Sequence, residues 1–418
     1  MIIDFSVENY RSIRKRVTLS AVAQPIAERD DRTTTSPFVN ERRKLSILPV
    51  VGIFGANASG KSNVLYALDQ LLDFAAMQGS SRSESLTPME GFAFTERSRR
   101  SPTKLAIRLL CDDIVYDYQL ALNRSQIVSE HMSYIPASAQ KNVSRLFFER
   151  SIEPKGDTFT VKAGMDLSSP FSKILRATTG NRTFLSVLIR DFNHPVTRAV
   201  ANWLGAYFVY RNGPTLETNI EDCGFILDNL APELIPAVLG LMSRFDTGIS
   251  GLDFHEAEEG WYDVEVKHEF ENKRQISWPI SRESLGTQKL FVLATRCVVA
   301  LQIGRAVVFD EFSASIHASI AQSIIKLFQN NRINRFGSQL FFASHDLSLQ
   351  KSRILRRDQI WFTEKKADRS TDLFPLTAFG VRKDLVIEKA YAEGRFGAVP
   401  FLPTDEEFES FLVKAIHG

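Results

Sequence analysis

Cysteine is scarce in this sequence. Cys111, Cys223 and Cys297 lie far apart and form no C-x-x-C pair. That argues against a disulfide framework or a zinc knuckle and suits a reducing cytoplasm, so small buried residues are expected. Long apolar runs are lacking as well: the longest, Leu290 to Ile303, contains Arg296 and is too short to span a bilayer. A core helix is expected there, and no membrane partner. No secretory leader is expected either, because Asp4 and Glu8 interrupt the first apolar residues and no small-residue cleavage site follows. Neither sign of charge dominates. With 51 Lys and Arg against 49 Asp and Glu, the net charge of +2 neither demands nor excludes nucleic acid. Internal repeats and low-complexity tracts are missing. What remains is ordinary globular composition, 44% hydrophobic and 24% charged over 418 residues, enough for one large core or two smaller ones.

The stretch Val50 to Leu72 carries the first chemistry. An apolar run, Val50 to Phe54, enters Gly55-Ala56-Asn57-Ala58-Ser59-Gly60-Lys61-Ser62, and an amphipathic helix follows. This fits G-x-x-x-x-G-K-[ST], in which backbone N–H groups cradle phosphates, the lysine reaches the β/γ-phosphates and the hydroxyl holds Mg²⁺. ATP and Mg²⁺ are therefore the expected cofactors. The candidate nucleotide residues are Gly55, Asn57, Ser59, Gly60, Lys61, Ser62 and Asn63.

Three later segments complete a constellation. Ala306 to Phe309 reads as a buried strand ending in Asp310-Glu311. Beside a complete P-loop, Asp310 is expected to hold Mg²⁺ with Ser62, and Glu311 to orient or deprotonate an attacking water. Gln339 to Ala343 reads as another buried strand, with His345 just past its end as the candidate sensor of the γ-phosphate. Ser284, Gly286 and Thr287 stand at the start of a long helix, where exposed N–H groups favour an anion. The order of these motifs resembles that of the ABC/SMC class of ATPases.

The chain divides by pattern. Residues 1–165 read as an N-terminal ATPase lobe with the P-loop and an antiparallel β meander of the runs "KLAIRLLCD", "IVYDYQLALN", "SQIVSEHMSYI" and "TFTVKA". Residues 166–250 read as a helical insertion, a candidate for DNA, RNA or protein contact. Residues 251–418 read as a C-terminal lobe with the signature, Walker B pair, switch histidine and an extension. The expected class is α/β, an ABC/SMC-type ATPase head with a meander and a helical lobe.

Several segments together, "FSVENYRSI", "GIFGANASGKSNVLYAL", "ESLGTQKLF", "VVFDEFSASIHASI", "FASHDLSL", "RRDQIWFTEK" and "YAEGRFGAVPFLP", resemble the bacterial AAA15/AAA21-type ATP-binding proteins. These are SMC-like ATPases related to the ATPase half of OLD nucleases. The resemblance runs from residue 5 to about 403. It implies a homodimer or higher oligomer through ATP-bound heads, in which Ser284, Gly286 and Thr287 complete the site of the opposite protomer. It also implies a partner effector encoded nearby, such as a RloB-type or other TOPRIM-like nuclease, in abortive-infection and anti-phage systems. Arg11, in the Asn9-Tyr10-Arg11-Ser12 opening, matches an arginine found near the phosphates. His317 is followed by Ala318 where the family usually has proline. Gln119, Gln126 and Gln140 are all candidates for the Q-loop.

The resulting expectation is a cytoplasmic ATP-hydrolysing switch with catalytic residues Glu311, Lys61 and His345 that controls an effector in phage defence. An SMC-like repair ATPase acting directly on DNA is the alternative. Such an enzyme would carry a long heptad coiled coil, which the stretch between Ser62 and Ser284 lacks.

Overall fold

The computed structural model describes residues 1–26, 38–76, 89–124, 126–153, 158–205, 215–245, 247–257, 262–380, 385–399 and 405–417. The chain opens with strands β1 (Ile2–Glu8) and β2 (Val17–Ser20), followed by a small pair, β3 (Phe38–Asn40) and β4 (Leu45–Ile47). Strand β5 (Val50–Phe54), buried along its length, runs through the glycine loop into α1 (Lys61–Ala76). After the short α2 (Glu96–Arg100) come β6 (Thr103–Cys111), β7 (Ile114–Leu122), β8 (Ile127–Ile135), β9 (Arg145–Ile152) and β10 (Phe159–Ala163). With β1 and β2 they form one antiparallel sheet in the order β10-β9-β8-β7-β6-β1-β2. The expected meander is present, with β9 as a further strand. Its alternation is broken by a bulge opposite Met132 and Ser133, which turns both Phe147 and Phe148 into the core.

The helical stretch between residues 166 and 250 divides between two cores. Helices α3 (Ser169–Ala177), α4 (Phe184–Asp191) and α5 (Arg198–Gly205) bury Leu175, Phe184, Leu188 and Trp203 with α1 and the seven-stranded sheet. Helices α6 (Leu216–Phe225) and α7 (Ile235–Arg244) instead pack with β11 (Ile249–Glu256), β12 (Tyr262–Phe270) and α8 (Leu285–Ile303). Strand β13 (Arg274–Pro279) completes a three-stranded antiparallel sheet with β11 and β12. Arg296, the charge inside the apolar run of α8, is buried and bonds Asn219 at 2.5 Å beside Asp222.

The rest of the chain supplies the other strands of the central sheet, β14 (Ala306–Phe309), β15 (Gln339–Ala343), β16 (Ile360–Lys365) and β17 (Thr371–Pro375), together with helices α9 (Ala318–Gln329), α10 (Ile387–Ala392) and the exposed α11 (Asp405–His417). The order is β14-β15-β5-β16-β17, parallel except for β17. Val51, Ile53, Phe341 and Ala343 face α1 and the large sheet, while Val50, Phe54, Leu340 and Phe342 face α8, α9 and α10. Burial on both faces explains why these strands read as unbroken apolar runs. Gly52 leaves room for the Phe342 ring, which a Cβ there would meet at 2.6 Å.

The three cysteines are free and buried, and burial pushes the Cys111 and Cys223 thiols up to about 11 and Cys297 further up. They are packing residues. Among the described residues no single helix is long and apolar enough to cross a membrane.

One buried ion pair ties the large sheet to its helices. Glu130 accepts from Arg150 Nε at 2.8 Å, from Tyr118 Oη at 2.9 Å and from the backbone N–H groups of Phe184 and Leu185 at the start of α4. Arg150 spends its remaining donors on the carbonyls of Thr178 and Arg182. Removing one partner would leave a buried charge and orphan the α4 amides. Glu130→Ala should therefore cost about 3–5 kcal/mol of stability, read by denaturant unfolding. A loss below about 1 kcal/mol would show that this cluster does not hold the sheet to α4.

Candidate nucleotide site

The phosphate loop is shaped from outside as much as by its own residues. Gly60 has φ +108°, and a Cβ there would lie 2.1 Å from Thr371 Oγ1. Glycine is required on both counts. Thr371, the first residue of β17, donates from its hydroxyl to the Ser59 carbonyl at 2.8 Å and lies 2.7 Å from Ser12 Oγ. Ser59 Oγ and Thr363 Oγ1 are 2.6 Å apart, and Asn63 donates to Ser12 Oγ at 2.7 Å. The Ala56 N–H donates to the carbonyl of Ala398, at 2.8 Å. Asn57 and Ala58 form the exposed tip.

Lys61 is buried and folded back, donating to the carbonyls of Gly55 at 3.0 Å and Ala56 at 2.9 Å. Burial lowers its pKa to about 8, partly opposed by the charges of Asp310 and Glu311. Those carboxylates end β14. Glu311 adopts φ +47°, a conformation uncommon outside glycine, and its N–H donates to Asp310 Oδ1 at 3.1 Å. The turn is laced to β15 by Phe312 N–H donating to the Ala343 carbonyl at 2.9 Å and by a 2.7 Å hydroxyl pair between Ser313 and Ser344. His345 follows directly. Its pKa is lowered by partial desolvation and then by the Lys61 charge, so the ring is neutral near neutral pH. The ends of three parallel strands thus bring Gly55, Lys61, Asp310, Glu311 and His345 to one edge.

The signature segment lies against the turn that follows the carboxylates. Among the described residues no hydrogen bond joins Ser284–Thr287 to the P-loop. Ser284 is exposed and caps α8 by accepting from the Thr287 N–H at 3.1 Å. Gly286 presses on the turn after Glu311, where a Cβ would meet the Ser315 carbonyl at 2.5 Å. The preceding residue, Glu283, accepts from Trp278 Nε1 at 2.8 Å and lies 2.9 Å from His268 Nε2, while His268 stacks on Trp278. The three-stranded sheet thereby fixes where α8 begins.

A cavity of about 630 Å³ opens beside the carboxylates between α1, β14, α6 and α8. Arg11 lines it with its guanidinium over Tyr10 and Tyr66, 5.3 and 5.4 Å from the ring centroids. Tyr66 is a site residue that sequence reasoning missed: its hydroxyl is raised by desolvation, by the Asp310 charge and by a hydrogen bond to Asp310. The cavity's glutamine is Gln70 of α1. Gln119, in contrast, bonds Asp117 within β7, Gln126 lies against Gly180 and Gln140 is exposed in the loop before β9. His317 proves to be the N-cap of α9, accepting from the Ser319 N–H at 3.3 Å. Ala318 is then the first helical residue, a position at which proline is also accommodated.

The sequence matches, over residues 50–349, the AAA_21 family, described as "AAA domain, putative AbiEii toxin, Type IV TA system". The chain belongs to this family. Its loop is an ATP-binding P-loop, and its fold is α/β, a mainly parallel five-stranded sheet beside a seven-stranded antiparallel one. No curated protein matches the sequence. Among solved structures, an SMC head bound to the C-winged helix domain of ScpA is similar over 94% of this chain and 99% of that chain, at 15% identity and a TM-score of 0.45. The SMC head domain from Thermotoga maritima is similar over 90% and 98%, at 12% identity and 0.42. A Pyrococcus furiosus Smc head with an extended coiled coil, bound to the C-terminal domain of ScpA, is similar over 94% and 98%, at 14% identity and 0.40.

The AAA_21 site should bind ATP with a pH dependence set by Lys61. In the free protein this amine loses its proton near pH 8, whereas phosphate charge favours the protonated form. Binding above that pH must take up a proton. Affinity should be flat just below about pH 8 and fall by up to about tenfold per pH unit above it. Calorimetry in buffers of different ionisation enthalpy would register the proton; constant affinity to about pH 9.5 would show that Lys61 takes up no proton when ATP binds.

Proposed function

We propose that the chain is an ATP-hydrolysing switch whose heads pair around nucleotide and control a partner effector, a nuclease, in cytoplasmic anti-phage defence. The observation that supports this reading best is the convergence of P-loop, Asp310-Glu311 and His345 at one sheet edge, with the Ser284 helix end exposed and unattached to its own P-loop. The family description, with its words for a toxin system, favours a defence role.

In this reading the loop amides and Lys61 bind the phosphates, with Arg11 alongside. Ser62 and Asp310 would hold Mg²⁺; the donor set of one hydroxyl and one carboxylate fits an ion that keeps several waters and takes phosphate oxygens. Glu311 accepts a proton from water as its oxygen bonds the γ-phosphorus and the bond to the ADP oxygen breaks. His345 donates a hydrogen bond to the γ-phosphoryl group. Ser284, Gly286 and Thr287 arrive from the second protomer, so ATP is contacted from both chains and pairing is sensitive to its hydrolysis. The RloB-type or other TOPRIM-like nuclease implied by the OLD and AAA15 resemblance would read the paired state. Direct action on DNA, the alternative, would show as DNA-stimulated turnover without an effector.

Glu311→Gln keeps shape but removes the base. Hydrolysis should fall at least ~10²-fold while ATP still binds, and ATP-bound dimers should accumulate. Near-normal turnover would reassign the base.

The shared site has its own test. Lys61→Ala and Ser284→Arg should each be inactive alone, yet a mixed dimer has one site with both elements intact. Random pairing should restore roughly a quarter of wild-type turnover in a twofold assembly. If purified mixed dimers show neither hydrolysis nor one tight ATP site, each site is built within one chain.

A further inference from the structure

Helix α11 ends the described chain as an amphipathic helix with an unpacked apolar face. Phe408, Phe411, Leu412, Ala415 and Ile416 recur at i, i+3, i+4, i+7 and i+8, the spacing of one buried stripe. All are exposed, Phe411 at 66% and Ile416 at 69%. The acidic residues Glu406, Glu407 and Glu409 gather in its first half. Elsewhere on the same chain lies a groove of about 710 Å³ with the converse character. Leu241 of α7, Val298 and Leu301 of α8, and Ile333 and Phe336 of the loop before β15 give it an apolar floor. Arg244 and Arg335 flank it. Phe336 is 61% exposed.

We propose that α11 of one copy of this chain docks into this groove on a second copy. An amphipathic helix laid into an apolar groove is a standard mode of recognition, with stripe residues as anchors. The opposite charges on helix and groove rim set its direction and disfavour docking of helix on helix. Position favours exchange between copies. The chain enters α11 from Val399, next to the Ala398 carbonyl bonded to the P-loop, whereas the groove includes the C-terminal end of α8 and the loop entering β15, at the opposite edge of the central sheet. The chain from Val399 to Asp405 reaches at most about 20 Å. Reciprocal exchange of α11 closes a twofold pair, and the same contact made in one direction links heads into longer assemblies. No nucleotide takes part in the contact, so it stands independently of the ATP-dependent pairing proposed above.

The test uses the full chain, whose native cysteines are buried. Leu412→Cys and Ile333→Cys are prepared separately, mixed without nucleotide and treated with a short bis-maleimide. The expected product is a covalent dimer containing one of each variant, absent when either is treated alone and lost when Phe411→Asp is added to the helix variant. Phe411 is exposed, so circular dichroism should show an unchanged fold. A third variant carries both cysteines; a cross-link formed only within its single chains would assign the groove to the chain's own helix and overturn the proposal. So would the lack of any cross-link, or one that survives Phe411→Asp.

Discussion

The phosphate loop depends on a collision avoided at Gly60. The Thr371 hydroxyl occupies space that any side chain on Gly60 would need, and from there it bonds the Ser59 carbonyl. A second hydroxyl contact, Ser59 with Thr363, and a backbone bond from Ala56 to Ala398 fix the other side of the loop. Ser12, from the opening of the chain, links Thr371 to Asn63. The cradle is therefore assembled from the first strand pair, two late strands and the segment after α10. Contacts so distant in sequence pay their loop-closure entropy before they return any stabilisation, so the loop acquires its shape only with the whole head.

The same architecture explains why chemistry gathers at one edge. Parallel strands share a direction, so whatever follows β5, β14 and β15 emerges side by side. Burial on both faces makes register costly to shift, and the pairing of Phe309 with Phe342 and of Ala343 with Ile53 brings the turns after these strands to the same edge. The Ser313–Ser344 hydroxyl pair adds a local tie between the carboxylate turn and the histidine turn. Glu311 is held at a positive φ in that turn, a strained conformation of the kind the surroundings must impose.

Much of this was legible in the residues themselves. Val50–Phe54, Ala306–Phe309 and Gln339–Ala343 are apolar and short, and their boundaries match the strands observed. The glycine loop and the Ser284 cap rest on local chemistry, which a sequence records directly. Strand β9 was hidden because a bulge defeats alternation at Phe147-Phe148. Thr371, Thr363 and Tyr66 were hidden for another reason: a threonine in a strand and a tyrosine in a helix carry no mark of the loop or carboxylate they meet. The division of the helices after residue 166 between two cores has the same origin, since each is amphipathic and the pattern does not say against what. Gln70 carries no mark of its own either: it sits on α1 and lines the same cavity as the carboxylates.

Helix α8 links the two halves of the head, and its packing dictates how they can move. Leu293, Cys297, Ala300 and Leu301 belong to the core of the central sheet, whereas Leu290, Phe291 and Ala294 belong to the core of α6, α7, β11 and β12. The helix cannot shift along either without opening one of them, and dense cores resist such continuous deformation. Its first turn is also fixed through Glu283 to the three-stranded sheet, so the Ser284 end moves with that sheet. Beside the carboxylates a cavity lies between α1, β14, α6 and α8. A change in the angle between the halves would alter the lining of that cavity, which includes Arg11, Tyr66 and Asp310. Rearrangement of the lobe that carries Ser284 and of the groups around the carboxylates would then be two ends of one motion.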